Sequence, residues 1–334
     1  MATPSTELPH PKPRPALRLV ATKSMPREEW LDVRKRGIGS SDAAAAVGLN
    51  QYKSQLELWL EKTGRDAGLS KPDPNSEEEA SYWGNVLEPI VASHYSKRTG
   101  RRVRRLNAVL QHPDPGLPWM LANIDREVIG AEDVQILECK TAGINGARLW
   151  REGVPEYVQL QVMHQLAVTG KQAADVAVLI GGQELEIHRI ERDELLISRL
   201  IELERRFWQY VITDTPPPAD GSDSADQALR CLYPQDTGKT VDFSHNPVLT
   251  LAYVELKALR NSIAQQEKRE SLLKQTLQQA MGDASKAKFG SGQITWKKAK
   301  DSVVFDQERL LQEKPYLQAK YPLTKPGSRR FLIT

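Results

Sequence analysis

The chain has 334 residues, of which 40% are hydrophobic, and its 46 Lys and Arg nearly balance 43 Asp and Glu. A chain of this length can bury one large core, or one core with an appendage, whereas a net charge of +3 says little by itself about nucleic-acid binding. No run approaches transmembrane length, no secretory signal is recognisable, and Cys139 and Cys231 are too few for a disulfide framework. The sequence therefore predicts a cytoplasmic protein without a membrane partner.

The first part of the chain is predicted to begin with a disordered leader and to continue as helices and strands. Residues 1–25 carry five prolines and no apolar run, which is typical of disorder. A single domain is predicted over residues 26–212. Its first elements are a helical segment at 27–63, a polar loop at 64–78, a helix at 79–99 that carries Glu88, and a strand near 102–111.

Two short apolar runs come next, Trp119–Asp125 and Val134–Glu138, and each ends on an acid. The stretch between them, 130–133, holds a glycine and two acids, which is turn chemistry. Both runs are therefore predicted as buried strands of a hairpin. With a four-residue loop, Asp125 falls directly opposite Glu138.

The hairpin gathers an acidic pair and a lysine. Because successive strand residues point to opposite faces, Glu138 and Lys140 share the face of Asp125, while Cys139 turns away. Two carboxylates and an ammonium on one buried patch are costly to desolvate unless they meet a cation. Hard oxygen ligands suit Mg²⁺, with Mn²⁺ as a substitute. The alternative is a structural ion pair, in which one acid simply neutralises Lys140.

The rest of the domain is predicted as mixed strands and helices, and this pattern favours an α/β core. Its elements are a helix near 144–151, a helix at 155–169 that carries Gln161, strands at 173–180 and 184–190, and a helix at 192–212. Three prolines and a Gly/Ser/Asp-rich run follow, so residues 213–246 are predicted to form a linker.

A C-terminal extension is predicted over residues 247–334. Its first part has the 4-3 spacing of a long helix of coiled-coil type, with apolar residues at Ala252, Leu256, Leu259, Ile263, Leu273, Leu277 and Ala280. Two short strands around Gly290 predict a hairpin. Residues 286–334 hold eleven Lys and Arg against four Asp and Glu, so the end of the chain is basic.

A second basic cluster lies at residues 97–105, which hold six cations and no acid. Basic patches on a protein of balanced charge fit contacts with a DNA backbone, and the candidates here are Arg101, Arg102, Arg104 and Arg105. The alternatives are a solvated surface, or cations that merely follow a helix end near Gly100.

Four segments in a fixed order carry a resemblance to a known family: Trp30–Asp42, Trp83–Pro89, Asp125 with Glu138–Lys140, and Tyr157–Leu166. In this order the set resembles the YqaJ-type phage recombination nucleases, relatives of bacteriophage lambda exonuclease in the PD-(D/E)xK superfamily. The resemblance covers about residues 26–212. It implies a restriction-endonuclease-like α/β core, a mixed central sheet flanked by helices, with the helical and hairpin C-terminal extension outside it.

The resemblance also implies a role for each polar residue of the hairpin. Asp125 and Glu138 would bind the catalytic Mg²⁺, with the carbonyl of Cys139 as a further ligand. Glu88 would complete the metal site from its helix. Lys140 would orient the attacking water and help to deprotonate it.

Further roles concern the water and the DNA end. Gln161 would position Lys140 or the water. Arg34 matches the arginine that holds a 5′-terminal phosphate in this family, and Ser41 matches the serine beside it. Ser41 and Asp42 also fit the N-cap of a helix, and a helix N-terminus beside an arginine is an anion site. The alternatives are a serine that only caps and a glutamine on a solvated face.

The function implied by the resemblance is that of a Mg²⁺-dependent 5′–3′ exodeoxyribonuclease. It would act on double-stranded DNA ends in a bacterial host, be encoded by a phage or prophage, and leave 3′ single strands for recombination. The resemblance also implies a ring-shaped trimer and a single-strand annealing protein as partner. Two hypotheses compete with it: a restriction-like or structure-specific endonuclease of the same superfamily, and a non-catalytic DNA-binding adaptor. An adaptor has no need of a charged cluster that is costly to bury.

Overall fold

The computed structural model describes residues 15–70, 73, 75–325 and 327–333. The chain divides into two units, Met1–Tyr233 and Pro234–Thr334. The described strands of the first unit are β1 (Leu17–Ala21), β2 (Arg102–Arg104), β3 (Ala108–Gln111), β4 (Leu121–Ala122), β5 (Arg126–Ile129), β6 (Ile136–Ala142), β7 (Ala173–Ile180) and β8 (Glu184–Glu191). Its described α-helices are α1 (Arg27–Lys35), α2 (Ala43–Ala46), α3 (Gln55–Lys62), α4 (Ala80–Thr99), α5 (Glu156–Thr169), α6 (Glu194–Ile212) and α7 (Asp223–Leu232).

A mixed sheet forms the centre of the first unit, with strand order β2-β5-β6-β7-β8. Strands β6 and β7 are parallel, and the other neighbours are antiparallel. Parallel neighbours need a long connection, and α5 provides it. The first six residues of β7 are all buried and, apart from Asp175, apolar, which suits a central strand that is covered on both faces. A smaller antiparallel sheet has the order β1-β3-β4.

Helices cover both faces of the central sheet. On one face, Val91 and Tyr95 of α4 pack with Leu137 and Ala177. On the other face, α5 contributes to the main core, in which Ile136 and Val176 are buried. The alternation of β6 therefore turns Glu138, like Ile136, toward α5. This arrangement confirms the predicted fold class, a mixed central sheet flanked by helices.

Both long helices end where the sequence indicates. Gly100 follows α4 with a φ of +72° and Gly170 follows α5 with a φ of +67°. Both glycines adopt the left-handed conformation in which other residues are strained, and each donates its N–H to the last turn. Pro89 lies inside α4, directly after Glu88.

The predicted leader is wrong for residues 17–21, and its first fourteen residues lie outside the described ones. Residues 17–21 form β1, which pairs with β3 and so satisfies its backbone groups in a ladder. The single strand predicted near 102–111 is also wrong, because the chain changes sheets within it: β2 pairs with β5, and β3 pairs with β1 and β4.

The strand predicted over Trp119–Asp125 is confined to Leu121–Ala122. The ladder stops there because side chains take the next carbonyl: Asn123 O accepts from Gln165 Nε2 at 3.1 Å and from Ser40 Oγ at 3.4 Å. The helix predicted near 144–151 is only a 3₁₀ turn, Ala147–Trp150.

The predicted linker at 213–246 is wrong in part, because it contains α7. This helix belongs to the first unit and packs on α3. Ser224 Oγ accepts from the backbone amide of Ser54 at 2.8 Å and donates to Glu57 Oε2 at 2.5 Å. These two hydrogen bonds join the start of α7 to the start of α3.

The second unit contains the predicted long helix and hairpin. Its described elements are α8 (Pro247–Met281), β9 (Lys286–Phe289), β10 (Gly292–Thr295), α9 (Gln307–Glu313) and α10 (Tyr316–Lys320). Strands β9 and β10 pair antiparallel. None of the described helices in either unit is both long and apolar enough to cross a membrane.

Candidate active site

One cavity of about 340 Å³ in the first unit collects most of the residues with predicted roles. Strand β6, helices α4 and α5, and the segment that follows α1 contribute to its lining. The predicted residues in this central cavity are Arg34, Ser41, Glu88, Asp125, Glu138, Cys139, Lys140 and Gln161. The structure thus brings together groups that lie more than 120 positions apart in the chain.

The hairpin sets the two acids opposite each other, as predicted. Strands β5 and β6 pair with Arg126 opposite Leu137, so the next step of the register sets Asp125 against Glu138. The backbone N–H of Cys139 donates to Asp125 Oδ2 at 2.8 Å. Asp125 is therefore tied to β6 although it lies just before the first residue of β5.

Glu138 is 2% exposed, and three side-chain donors reach its carboxylate. Lys140 Nζ lies 2.8 Å and Gln161 Nε2 lies 2.6 Å from Glu138 Oε1. Gln165 Nε2 lies 2.8 Å from Oε2. Lys140 Nζ also donates to Gln161 Oε1 at 2.9 Å. The predicted group of Lys140, Glu138 and Gln161 is therefore in contact, and Gln165, one helical turn further on, is a contact that the sequence analysis did not assign.

The negative charge of the Asp125 carboxylate is only partly compensated by neighbouring cations. Burial and the neighbouring charge of Glu138 raise the pKa of Asp125 to about 8, and Lys140 offsets only part of this effect. Two carboxylates that share one ammonium in a partly buried site favour a further cation.

The same acids keep Lys140 protonated. Burial alone would lower the pKa of Lys140, but the charges of Glu138 and Asp125 outweigh it and raise the pKa. An ammonium group donates hydrogen bonds and cannot accept a proton. This arrangement therefore favours an orienting role for Lys140 over a deprotonating one.

Glu88 reaches the central cavity from α4 but pairs with Arg126. The Arg126 guanidinium contacts Glu88 Oε1 and also donates to the carbonyl of Asp125 at 2.7 Å. Arg126 is 7% exposed. Among the described residues, no group of three or more His, Cys, Asp or Glu side chains converges closely enough to hold a metal ion. Asp125 and Glu138 thus lie opposite each other in the hairpin, and the Glu88 carboxylate is held by Arg126.

The donor chemistry nevertheless fits a divalent ion. The carboxylates of Asp125 and Glu138 and the backbone carbonyl of Cys139 are hard oxygen ligands of the kind that Mg²⁺ prefers. The raised pKa of Asp125 identifies the position where positive charge is lacking. Glu88 lines the same cavity and could join these ligands only by leaving Arg126.

Arg34 and Ser41 line the central cavity together. Arg34 Nη2 donates to Ser41 Oγ at 3.0 Å and to Asp42 Oδ1 at 2.5 Å. The guanidinium lies 5.0 Å above the ring of Trp30. No described residue accepts a hydrogen bond from Arg34 Nε or Nη1. Arg34 is therefore held in one orientation while donors remain available.

The predicted helix cap is right for the position of Asp42, which is the N-cap residue of α2, and wrong for Ser41 and for any side-chain hydrogen bond to that helix. Ser40–Asp42 form a 3₁₀ turn, the following helix α2 has only four residues, and neither side chain caps it. The Asp42 carboxylate instead binds Arg34 and Lys62 Nζ, the latter at 2.6 Å. Although burial opposes ionisation, these two cations hold the pKa of Asp42 well below its usual range. Asp42 Oδ2 also accepts from the backbone N–H of Gly39 at 3.1 Å, so the carboxylate caps the 3₁₀ turn and is compensated by two charged partners.

The four basic residues predicted to bind DNA lie outside the central cavity. Arg101 pairs with Asp133 at 2.7 Å, and Arg104 pairs with Glu127 at 2.6 Å. Arg102 is exposed on β2. Arg105 lines a neighbouring cavity of about 450 Å³ that also includes Glu88 and Asp125. Arg105 is therefore the member of this cluster that lies beside the acids.

Sequence reasoning missed Arg126, Asp42 and Lys62 as structural partners of the site. Arg126 directly follows Asp125, and a cation in a buried strand next to an acid is a signal of an ion pair. Lys62 gave a similar signal, because it follows the apolar helix residues Leu58, Trp59 and Leu60. In neither case does the sequence identify the partner.

Comparison with known proteins establishes the family. Residues 29–172 match the model of the YqaJ-like viral recombinase domain. The chain is also 35% identical over 308 residues to the uncharacterized protein YqaJ of Bacillus subtilis (strain 168), and the alignment covers 90% of this chain and 92% of that protein. The chain therefore belongs to the YqaJ family, and the resemblance expected from its motifs is confirmed.

Solved structures with some similarity include two exonucleases. One is an alkaline exonuclease, LHK-Exo, from Laribacter hongkongensis, with a TM-score of 0.45 and 23% identity, covering 56% of this chain and 93% of that one. The other is a phage related exonuclease from Haemophilus somnus 129PT, with a TM-score of 0.37 and 10% identity, covering 53% of this chain and 96% of that one.

Proposed function

We propose that the protein is a Mg²⁺-dependent exodeoxyribonuclease that degrades double-stranded DNA from 5′ ends and leaves 3′ single strands for phage-type recombination. The observation that carries this proposal is the central cavity. It combines two carboxylates, Asp125 and Glu138, that share a single ammonium group with an arginine, Arg34, whose Nε and Nη1 donors have no described acceptor. Membership of a viral recombinase family supports the same reading.

Asp125, Glu138 and the carbonyl of Cys139 would hold the metal ion, and Glu88 would contribute after leaving Arg126. When bound, a divalent ion neutralises charge on the scissile phosphate and lowers the pKa of a water molecule. The side chains and backbone of the protein fix the positions of these ligands. The Cys139 amide fixes Asp125, and Gln161 and Gln165 fix Glu138, so the carboxylates need little rearrangement during the reaction.

Lys140 would act as a donor in this scheme. Its ammonium group is fixed by Glu138 and Gln161 at the cavity wall, from which it can orient a water molecule or stabilise a phosphate oxygen. Gln161 bridges the lysine and the acid, so it acts as a positioning residue that keeps both groups in register.

Arg34 and Ser41 would hold the 5′-terminal phosphate. Arg34 Nη2 is committed to Asp42 and Ser41, whereas Nε and Nη1 have no acceptor among the described residues and suit two oxygens of a phosphate. A held end phosphate would make cleavage start at DNA ends. Arg105, beside the acids, and the more distant Arg101, Arg102 and Arg104 would contact the backbone of the duplex. The family resemblance further supports a trimer and a single-strand annealing protein as partner.

The test uses end-labelled linear duplex and covalently closed circular DNA, each with and without Mg²⁺. We expect loss of the linear DNA only, and only with the metal. Nicking of closed circles would support the endonuclease alternative. If neither substrate is cut with Mg²⁺ or Mn²⁺, the proposal fails and a DNA-binding adaptor becomes the better reading.

A further inference from the structure

A second cavity, of about 370 Å³, adjoins the central cavity and shares Trp30, Arg34 and Asn85 with it. The roles proposed above use only Arg34 from its lining. Its charged residues are five cations and two acids: Arg27, Arg34, Lys35, Lys53, Lys62, Glu61 and Asp66. We refer to it as the basic cavity, and its volume lies in the range of small-molecule sites.

Two of the lining cations are fixed by one buried acid. Asp42 binds Arg34 at 2.5 Å and Lys62 at 2.6 Å. Lys62 Nζ also donates to the backbone carbonyl of Arg34 at 2.9 Å. The side chains of Lys62 and Asp42 are each 3% exposed. Burial and the neighbouring Arg34 lower the pKa of Lys62, and Asp42 opposes this shift. In its charged form Lys62 gives the group an excess positive charge where water screens it weakly, and a bound phosphate would favour that form.

The two acids that line the basic cavity compensate only part of its positive charge. Glu61 pairs with Lys53 at 2.6 Å. Lys35 pairs at 2.9 Å with Asp32, which is exposed and is not part of the lining. Arg27 makes no ion pair with any described residue. An anion that entered the cavity would therefore meet a net positive lining of preordered cations.

The lining also offers apolar surface. Trp30 and Leu31 contribute it, and Ser81 and Asn85 add hydrogen-bonding groups. A cation-rich groove with an aromatic side chain is the combination that binds single-stranded nucleic acid, because phosphates meet the charges and bases stack on the ring. Trp30 lines both cavities, so a nucleotide held here would adjoin the central cavity.

We propose that the basic cavity is a second phosphate-binding site, which takes an unpaired nucleotide of the DNA strand whose end is held at Arg34. The phosphate would lie between Lys35 and Lys53, whose side chains are partly exposed in the lining, and the base would lie on Trp30, while Arg34 holds the 5′-terminal phosphate. This proposal rests on the proposed function for the direction of the strand, although not for the binding of phosphate. A free nucleotide has the same phosphate chemistry, so the test has an arm for each source.

The test measures binding by the full-length chain in EDTA, where metal-dependent cleavage is absent. The probes are a dye-labelled single strand of thymidines with a 5′-phosphate, and thymidine 5′-monophosphate as a competitor. Lys53→Gln removes one lining charge, and Lys35→Gln, at a more exposed position, provides a second variant if the first folds poorly. Lys171→Gln is the matched control, because Lys171 also faces a glutamate, Glu127 at 3.6 Å, and lies outside the cavity.

We expect each lining variant to weaken single-strand binding about fivefold at roughly 0.1 M salt, and to reduce the slope of log affinity against log salt by about 0.7, the value for one lost phosphate contact on a single strand. The control variant should change neither quantity. Loss in the mononucleotide arm alone would support the site with a free nucleotide as its ligand. If the lining variants equal wild type in both arms, the proposal is overturned.

This outcome is separate from the fate of the proposed function. Binding in EDTA does not require a metal site or catalysis. If Lys53→Gln weakens binding but the wild type never cuts DNA, the phosphate site in the basic cavity is supported and the nuclease proposal is contradicted. If the wild type cuts from 5′ ends and the lining variants bind as the wild type does, the nuclease proposal is supported and the phosphate site is contradicted.

Discussion

Asp125 carries the clearest electrostatic strain among the residues of the site. Its pKa lies at about 8 instead of 3.8, because burial and Glu138 both oppose its charge. A carboxyl group with a raised pKa binds its proton more tightly in the folded chain than in the unfolded chain. Its contribution to stability therefore falls as pH rises from about 4 toward 8.

We expect Asp125→Asn to raise the melting temperature in EDTA near pH 8, by roughly 2–4 °C for each kcal/mol of relieved repulsion. The same variant should lose the rise in melting temperature that Mg²⁺ gives to wild type, since an ion that binds only the folded state stabilises it. It should also lose cleavage. Asp133→Asn is the control, because arginine partners lower the pKa of Asp133. A variant that melts lower in EDTA and still responds to Mg²⁺ would contradict this account of the pair.

Substitution of Lys140 distinguishes a role in cleavage from a role in folding. In Lys140→Ala, Glu138 keeps Gln161 and Gln165 as donors, so the fold should persist. We expect the cleavage rate to fall by about a hundredfold or more, the scale of a fixed hydrogen-bond donor to the transition state, with the Mg²⁺ response of the melting temperature retained. Lys171→Ala provides the control. Unfolding of the Lys140 variant, or an unchanged turnover, would favour the structural ion-pair alternative.

Residue contacts were predictable where they depend on local geometry. The four-residue loop fixes the register of β5 and β6, so Asp125 opposite Glu138 and Lys140 beside Glu138 follow from the sequence. Contacts between distant segments were not predictable from local geometry; the contact of Gln161 with Lys140 followed only from the family resemblance. Arg126 meets Glu88 across 38 positions, and Lys62 meets Asp42 across 20. Any of several nearby cations could have filled either place.

At the scale of elements, α5 links the core to the site. His164 is fully buried between α6 and β4: Nδ1 lies 2.7 Å from Glu204 Oε1, and Nε2 lies 2.9 Å from the carbonyl of Leu121. Burial alone would lower the pKa of His164, but Glu204 outweighs it and raises the pKa above 6.5. Since both ring nitrogens face acceptors, the charged form, with a proton on each nitrogen, satisfies both.

This contact predicts a pH dependence of stability. A histidine whose pKa is raised by folding stabilises fully below its unfolded value of 6.5, and this contribution is lost as pH rises through the folded pKa. We expect the free energy of unfolding of wild type, followed by urea denaturation, to fall across that range more steeply than that of His164→Asn. His94→Asn, on the opposite helix α4, is the control. Parallel curves for wild type and His164→Asn would exclude a charged His164.

The long helices and strands were predictable from the sequence, whereas the short strands were not. The helices α4 and α5 and the strands β7 and β8 agree with the predicted bounds to within one residue, because each has a sustained pattern and a glycine or proline at an end. The short strands β1 and β4 owe their existence to partners in another part of the chain. The isolated sequence of a two-residue strand carries no pattern from which it could be predicted.

At the scale of the whole molecule, the family resemblance implies an assembly. A trimer would have about three times the chain mass of 37.5 kDa. We expect sedimentation velocity to give that species at micromolar concentration. A purely monomeric protein at that concentration would contradict the trimer, although it would leave the chemistry of the central cavity untouched. The predicted coiled-coil pairing of α8 stays a prediction.

The central claim is that one cavity joins a metal-dependent acidic pair to a pocket for a 5′ phosphate. The most direct test compares initial rates of digestion of one linear duplex that carries either a 5′-phosphate or a 5′-hydroxyl, with Mg²⁺, for wild type and Arg34→Ala. A hydrogen bond to a charged group contributes ~1.5–3 kcal/mol, or about one to two decades in rate. We expect wild type to prefer the phosphorylated end by that factor and Arg34→Ala to lose most of the preference while it keeps the Mg²⁺ response of its melting temperature. Equal wild-type rates on the two ends would contradict the account.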